Sequence, residues 1–282
     1  MPSFPLVDSH VHLWDPHRLR YDWLAGVPAL NHRHGVAELR EAIGKVAVGK
    51  FVFVQCECAP AQSLAEAAWV TELAADEPRL AGIVAQAPLE RGRAVAEVLA
   101  ELAARPLVKG VRRLLQEEED AFALQPDFVA GVRELGRHGL TFDVCIYHRQ
   151  LPAVVSLVEQ CPEVRFVLDH LGKPGVRDGC FEPWARQLRA LSQRENVWCK
   201  LSGLTTEADP RNWTPDHLRP YLAHAIDCFG LGRVMFGSDW PVSSQATAYV
   251  RWVETVEGAL VGCSDDDLHR VFVRNAEAFY GI

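Results

Sequence analysis

Short apolar segments alternate with longer amphipathic ones along the whole chain. Eight β-branched or apolar runs of strand length occur at residues 4–9, 50–55, 80–85, 107–114, 140–147, 165–169, 196–201 and 233–237. Between them lie segments with the three- to four-residue apolar spacing of a helix, among them 62–76, 93–104, 127–138, 151–161 and 184–194. The pattern therefore predicts strands and helices in alternation.

Signals at the predicted helix ends agree with this pattern. Thr214 followed by Pro215 has the form of an N-cap with proline at the first helical position, and Ser264 precedes three aspartates. His138 followed by Gly139 is typical of a helix end just before a strand. The element boundaries thus have local support beyond periodicity.

Eight strand–helix units in 282 residues predict an α/β fold, a (β/α)₈ TIM barrel that forms a single domain over residues 1–282. A doubly wound open sheet is the alternative. Neither a linker rich in proline, glycine or serine nor an internal repeat divides the chain. Residues 14–35 are long for a strand-to-helix connection, and we expect them to form a lid over the barrel mouth.

Composition and charge narrow the functional class. Hydrophobic residues make up 49% of the chain and charged residues 23%, as in globular proteins, and the net charge of −8 argues against a nucleic-acid partner. The sequence has neither a signal-peptide pattern nor an apolar run long enough to cross a membrane. Its eight cysteines lack zinc-ribbon spacing. We expect a cytoplasmic protein with reduced thiols, and a homodimer is one option for its assembly.

Polar side chains follow most of the predicted strands. In a barrel the carboxyl ends of the strands meet at one face, so residues from distant parts of the chain converge there. The two-residue spacing of His10 and His12 points both rings to the same side of an extended strand. The other polar residues at strand ends are Gln55, Arg112, Tyr147, His148, Asp169, His170, Asp239 and the neighbouring Trp240.

These residue types indicate metal-assisted or acid–base hydrolysis. The imidazoles of His10, His12 and His148, together with the Asp239 carboxylate, would suit zinc or manganese and leave a position open for water. Asp239 could take the proton of that water, while His170 and Arg112 could stabilise an oxyanion. Motifs for a serine nucleophile or for phosphate binding are absent.

Ordered motifs over nearly the whole chain resemble the amidohydrolase superfamily. They include Val-Asp-Ser-His-Val-His at 7–12, Lys-Gly-Val-Arg at 109–112, Val-Leu-Asp-His-Leu-Gly-Lys-Pro at 167–174, Cys-Lys-Leu-Ser-Gly at 199–203 and Met-Phe-Gly-Ser-Asp-Trp-Pro at 235–241. The sequence is most similar to the amidohydrolase-related branch that contains the sugar lactonases of the L-fuconolactonase and L-rhamnonolactonase type. The resemblance implies a carboxylic ester hydrolase that opens the lactone of a deoxysugar to its aldonic acid.

The resemblance also implies roles for individual residues. Asp239 would be the general base, His170 the sixth-strand histidine, and Arg112 a ligand of the lactone carbonyl or a hydroxyl. A sugar lactone presents several hydroxyls and one apolar face. The residues expected to bind it are Gln55, Tyr147 and Lys173 by hydrogen bonds and Trp23 and Trp240 by their rings.

Two other functional classes stay open at this level. Related superfamily members decarboxylate small aromatic or unsaturated acids with a similar histidine and aspartate set, and a barrel that only binds metal or sugar is the non-enzymatic alternative. Members of the lactonase branch differ in metal dependence, so hydrolysis without metal also stays open. We expect a divalent metal, zinc before manganese.

Overall fold

The strands form one parallel sheet that curls into a nearly closed barrel. The computed structural model describes residues 1–282, and neighbouring strands pair in the order β1 to β8. A parallel bridge between Val11 and Trp240 joins the last strand to the first, which excludes the open doubly wound sheet. The strands are β1 (Leu6–Val11), β2 (Val48–Val54), β3 (Leu80–Ala85), β4 (Val108–Arg112), β5 (Thr141–Val144), β6 (Phe166–Leu168), β7 (Val197–Leu201) and β8 (Val234–Phe236).

Helices connect successive strands and cover the outside of the barrel. The five helices predicted from apolar spacing are present, each within about three residues of its expected ends. No helix combines the length and apolar character required to cross a bilayer. The helices are α1 (Val36–Ile43), α2 (Ser63–Leu73), α3 (Ala96–Ala103), α4 (Pro126–Arg137), α5 (Leu151–Gln160), α6 (Trp184–Ser192), α7 (Leu204–Glu207), α8 (Pro215–Phe229), α9 (Tyr249–Ala259), α10 (Asp265–His269) and α11 (Asn275–Tyr280).

Alternation along β5 shows how the sequence separates the core from the site. Phe142 packs between Phe128 of α4 and Phe166 of β6, with ring centroids 6.2 and 5.9 Å away, so it faces the helix layer. The next residue, Asp143, must face the barrel interior because successive side chains of a strand point to opposite sides. The layer between strands and helices is therefore apolar, whereas the interior carries buried charge.

Asp8 closes the barrel between its first and last strands. Its Oδ1 accepts a hydrogen bond from the Ser238 backbone at 2.8 Å, and its Oδ2 accepts one from the Tyr249 hydroxyl at 2.8 Å. Above it, the Asp239 backbone N–H donates to the His10 carbonyl at 2.9 Å. These contacts align the ends of β1 and β8 although the two strands share little regular pairing.

Residues 14–35, which were expected to form a lid, fold against the barrel. Trp14 is fully buried and pairs with His34 in an antiparallel bridge, and short 3₁₀ turns cover Asp22–Gly26 and Pro28–Leu30. The Trp23 indole donates to the Cys56 carbonyl at 2.8 Å. The segment is therefore anchored beside the end of β2, and its function as a lid stays a prediction.

We expect that Gly131→Ala destabilises the barrel. A Cβ at Gly131 of α4 would lie 1.9 Å from the Leu89 carbonyl oxygen. The helix α4 and the connection that contains Leu89 would therefore have to move apart. The loss should be about 1–3 kcal/mol in the free energy of unfolding, measured by urea titration. Gly258→Ala in α9 is the matched control: its Cβ meets no atom within 4 Å, so it should stabilise slightly. Equal effects of the two substitutions would contradict this packing argument.

Candidate active site

Three imidazoles and one carboxylate converge at the carboxyl ends of β1, β6 and β8. His10 Nε2 lies 3.1 Å from His12 Nε2. Asp239 Oδ1 lies 3.7 Å from Nε2 of His10, 3.5 Å from that of His12 and 3.8 Å from that of His170. All four side chains are buried. The strand ends thus bring together four groups that are separated by up to 229 residues in sequence.

Each imidazole is held through its other ring nitrogen. His12 Nδ1 donates to the Val54 carbonyl at 2.7 Å, and His170 Nδ1 lies 2.9 Å from the Ser202 hydroxyl. His10 Nδ1 lies 3.3 Å from Asp169 Oδ1. Burial lowers the pKa of all three imidazoles, so they are neutral at neutral pH. Three oriented Nε2 atoms therefore face one small volume.

The Asp239 carboxylate remains ionised although it is buried. Burial alone would raise its pKa, but neighbouring groups, among them the ammonium group of Lys173, hold that pKa below its ordinary value. An ionised carboxylate among neutral imidazoles can accept a proton. Asp239 is therefore the basic group of this cluster.

The cluster also has the donor atoms of a metal site. Because His12 gives its Nδ1 proton to Val54, its Nε2 carries a lone pair that faces both His10 Nε2 and Asp239 Oδ1. A cation between these atoms would relieve their repulsion, and imidazole nitrogens with a carboxylate oxygen are typical zinc ligands. Ligand atoms of His10, His170 and Asp239 lie within 4.8 Å of one another. The residues present thus fit a divalent cation.

Arg112 places a buried guanidinium beside the imidazoles. Its Nη2 donates to the Gln55 carbonyl at 2.6 Å, and its Nη1 lies 3.4 Å from both Asp169 Oδ2 and His10 Nε2. Burial alone would lower the pKa of Arg112, but neighbouring groups, including Cys145 and Asp169, raise it. A fixed cationic donor therefore stands next to the cluster.

A buried ion network underlies these groups. Lys200 on β7 is fully buried, with Nζ 2.5 Å from Asp143 Oδ2, 3.1 Å from Asp169 Oδ1 and 3.2 Å from His10 Nδ1. The Tyr280 hydroxyl of α11 donates to the same Asp143 oxygen at 2.7 Å. Burial opposes ionisation of Asp169, but Lys200 and His10 hold its pKa well below the ordinary value. The network connects residues of β1, β5 and β7, the end of β6 and the last helix.

The backbone around the cluster adopts left-handed conformations that are uncommon for residues with a side chain. His170, Leu171 and Lys173 have φ of 55°, 55° and 49°, and Asp239 has φ of 60°. Such strain concentrates at functional sites. The His170 ring fits here because residue 203 is a glycine: a Cβ at Gly203 would lie 2.4 Å from His170 Nδ1. The loop after β6 is therefore shaped to present His170.

The cluster lies at the base of an open cleft of about 1240 Å³. His12, Arg112, His170 and Asp239 all contribute to its lining. Its walls also include charged, thiol and aromatic side chains from several connections, namely Trp23, Glu57, Cys145 and Lys173. The cleft is large enough for a small polar molecule to reach the basic carboxylate.

The structure does not bring His148 into the predicted ligand set. His148 starts a short 3₁₀ turn after β5, and its Nδ1 donates to the Lys173 carbonyl at 2.9 Å. It belongs to neither group of metal-capable side chains, whereas His170 lies beside Asp239. β5 ends at Val144, three residues earlier than predicted, so His148 lies beyond the convergent strand end.

Three of the five predicted substrate-binding residues also differ from expectation. Tyr147 does not line the cleft and lies below Lys173, whose Nζ is 5.3 Å from the ring centroid. Gln55 is fully buried, and Trp240 packs edge-on against His34 with ring centroids 5.6 Å apart. Trp23 and Lys173 do line the cleft. Neither Gln55 nor Trp240 lines the cleft, so neither meets a substrate there.

Several polar residues of the site were not predicted as functional. Lys200 and Asp143 each interrupt an apolar strand run, and such a charge in a buried parallel strand was the available signal. Ser202 and Glu57 carried no comparable signal, because their roles depend on loop conformation.

The comparisons with known proteins agree with this geometry. A family model described as amidohydrolase matches residues 7–282. The chain is 36% identical over 263 residues to an L-fucono-1,5-lactonase of Burkholderia multivorans, covering 89% of this chain and 87% of that protein. It is 32% identical over 286 residues to an L-fucono-1,5-lactonase of Burkholderia ambifaria, with 98% and 95% covered.

A crystal structure of an amidohydrolase from Burkholderia multivorans with bound zinc has the same fold. The TM-score is 0.89 at 34% identity, and the match covers 99% of this chain and 100% of that one. The barrel prediction is thus confirmed both by strand topology and by this likeness.

We expect that Lys200→Met destabilises the protein by about 3–5 kcal/mol in the free energy of unfolding, because it leaves two buried carboxylates without their cation. Adding Asp143→Leu to this variant should recover part of the loss. Arg105→Gln breaks the exposed pair with Glu101 and is the control, with an expected loss of at most about 1 kcal/mol. A loss for Lys200→Met no larger than this control, by denaturant titration, would contradict the network's role.

Proposed function

Because the chain belongs to the amidohydrolase family, we propose that it hydrolyses a sugar lactone, most suitably that of a deoxysugar, to the aldonic acid. One observation carries the proposal: the ionised Asp239 lies within 4 Å of three neutral imidazoles at the base of a polar cleft. Such a constellation can activate water next to an ester carbonyl. The names of the two Burkholderia lactonases support the same reaction class.

Asp239 acts as general base and then as general acid. Its Oδ1 accepts a proton from the attacking water while the water oxygen bonds to the lactone carbonyl carbon. When the tetrahedral intermediate collapses, the ring C–O bond breaks and Asp239 returns the proton to the leaving ring oxygen. The depressed pKa keeps this carboxylate unprotonated and ready for the first transfer.

Arg112 stabilises the charge that develops on the carbonyl oxygen. The guanidinium is fixed by the Gln55 carbonyl and by Asp169, so it need not reorganise during the reaction. His170 is fixed by Ser202 and faces Asp239. Both groups are buried at the base of the cleft, where a low local dielectric strengthens electrostatic interactions.

A divalent cation, zinc before manganese, is proposed to bind His10, His12, His170 and Asp239. When bound, it would supply Lewis acidity to the reacting water and carbonyl. The hydrogen bond from His12 to Val54 and the contact of His10 with Asp169 orient their Nε2 atoms for this purpose. The zinc in the Burkholderia multivorans amidohydrolase supports the choice of metal.

Trp23 and Lys173 are proposed to contact the sugar. The Trp23 ring is half-buried in the cleft wall with its N–H engaged by Cys56, which leaves the ring available to an apolar sugar face. Lys173 lies in the cleft between Gln116 and Glu207 and can donate to a hydroxyl. Neither role requires a charged substrate.

A pH-stat screen of L-fucono-, L-rhamnono-, L-arabinono- and D-galactono-lactones tests the reaction. We expect acid release without carbon dioxide, and a roughly 10³-fold lower kcat for Asp239→Asn because the proton acceptor is lost. Asp227→Asn, which removes an exposed carboxylate paired with Arg189, should leave turnover unchanged. Failure to hydrolyse any of these lactones, or release of carbon dioxide from a small aromatic acid instead, contradicts the proposal.

Metal dependence has a separate test. Zinc titration of chelated protein, followed by calorimetry and elemental analysis, should give one bound ion per chain, and His170→Asn should weaken that binding by about 10-fold or more because a ligand is lost. His148→Asn is the matched control and should bind zinc as the parent does, since His148 lies outside the cluster. Unchanged turnover at verified zero metal content would contradict a metal role in the attack.

A further inference from the structure

We propose that Glu57 selects neutral, polyhydroxylated lactones by accepting hydrogen bonds from adjacent substrate hydroxyls and by repelling anionic ones. The inference rests on the proposed lactone hydrolysis and concerns its substrate class. It comes from the position, conformation and partners of this one carboxylate, which follows β2.

Glu57 is part of the cleft that contains the candidate catalytic groups. Its half-buried side chain lines the same cavity as Arg112, His170 and Asp239. A molecule bound over these groups therefore shares its cavity with the Glu57 carboxylate.

The Glu57 backbone is held in an unfavourable conformation. Its φ is 53°, in the left-handed region where glycine is the usual residue. A long carboxylate side chain occupies this position, where a glycine would fit without strain. Strain that persists where a smaller residue would relieve it points to a function of the side chain.

Gln55 supplies the interactions that hold this conformation. Its side-chain oxygen accepts from the Glu57 backbone N–H at 2.6 Å, and its amide nitrogen donates to Glu57 Oε1 at 2.8 Å. The main-chain carbonyl of Gln55 accepts from Arg112 at 2.6 Å. One buried residue thus fixes both the oxyanion donor Arg112 and the carboxylate Glu57, which sets their separation.

The remaining acceptor capacity of Glu57 is free for a ligand. Its Oε2 has no hydrogen-bond partner within the protein, and no cation forms an ion pair with it. Two other cleft carboxylates, Glu90 and Glu118, are by contrast both paired with Arg113. An ionised carboxylate accepts hydrogen bonds and donates none, so its natural ligands are hydroxyl groups. An anionic group placed beside Glu57 would meet unfavourable like charge.

Glu57→Gln tests the inference through a comparison of three lactones. They are the sugar lactone that the parent enzyme hydrolyses best, δ-valerolactone, which has no hydroxyls, and the anionic D-glucaro-1,4-lactone. We expect a roughly 10- to 100-fold rise in KM for the sugar lactone with a much smaller change in kcat, since a charge-assisted contact to bound substrate is lost. kcat/KM should stay unchanged for δ-valerolactone and should rise for the glucarolactone.

Two further variants test whether the effect comes from the charge of Glu57 or from its contact with the substrate, and whether it is specific to Glu57. Glu57→Asp keeps the charge on a shorter side chain, so it should lose sugar affinity while it still discriminates against the glucarolactone. Glu90→Gln removes a cleft carboxylate that is already paired with Arg113, and it should leave the three-lactone pattern unchanged. Thermal unfolding of each variant checks that the protein is intact.

The outcomes distinguish this inference from the proposed function. If the parent enzyme hydrolyses sugar lactones but Glu57→Gln leaves their KM unchanged, or slows δ-valerolactone and the sugar lactone equally, the role of Glu57 is overturned and lactone hydrolysis stands. If the parent enzyme hydrolyses no sugar lactone, the proposed function is contradicted, whatever Glu57 does.

Discussion

The buried ammonium group of Lys200 is the interaction on which the site depends. It neutralises Asp143 and Asp169 at distances of 2.5 and 3.1 Å in an interior without water-accessible surface. Without a cation there, two carboxylates could not both be ionised in a low dielectric. Because Asp169 also contacts His10 and Arg112, the same charge balance determines how the metal-capable imidazole and the proposed oxyanion donor are oriented.

Charge balance also explains why the imidazoles are neutral while Asp239 is ionised. Lys200 and Arg112 place positive charge beside His10, and burial adds to the cost of protonating it. Asp239 lies beside the imidazoles, and neighbouring groups that include the Lys173 ammonium hold its pKa below the ordinary value. A single basic group therefore stands among neutral ligands, which is the protonation state that water activation requires.

The sequence predicts the barrel and the cluster well because both depend on strand order and on the residues at strand ends. His10, His12, Arg112, His170 and Asp239 were all found in this way. The prediction failed where the chain turns after the strand: β5 ends at Val144, and His148 lies in the following turn, outside the cluster. Gln55 was predicted to bind substrate, but the structure buries Gln55 and places Glu57 in the cleft. This arrangement depends on the left-handed φ of Glu57, which the residue types do not predict.

The two parts of the site are supported by different physical means. The proposed catalytic groups contact the ion network inside the barrel, so replacing them disturbs charges that cannot be re-solvated. Glu57 and Lys173 lie on connections after the strands, where their partners are local and partly exposed to solvent. Substitutions of these cleft-wall residues should therefore alter which lactone is bound at a small cost in stability. The proposed reaction depends instead on the buried residues at the strand ends.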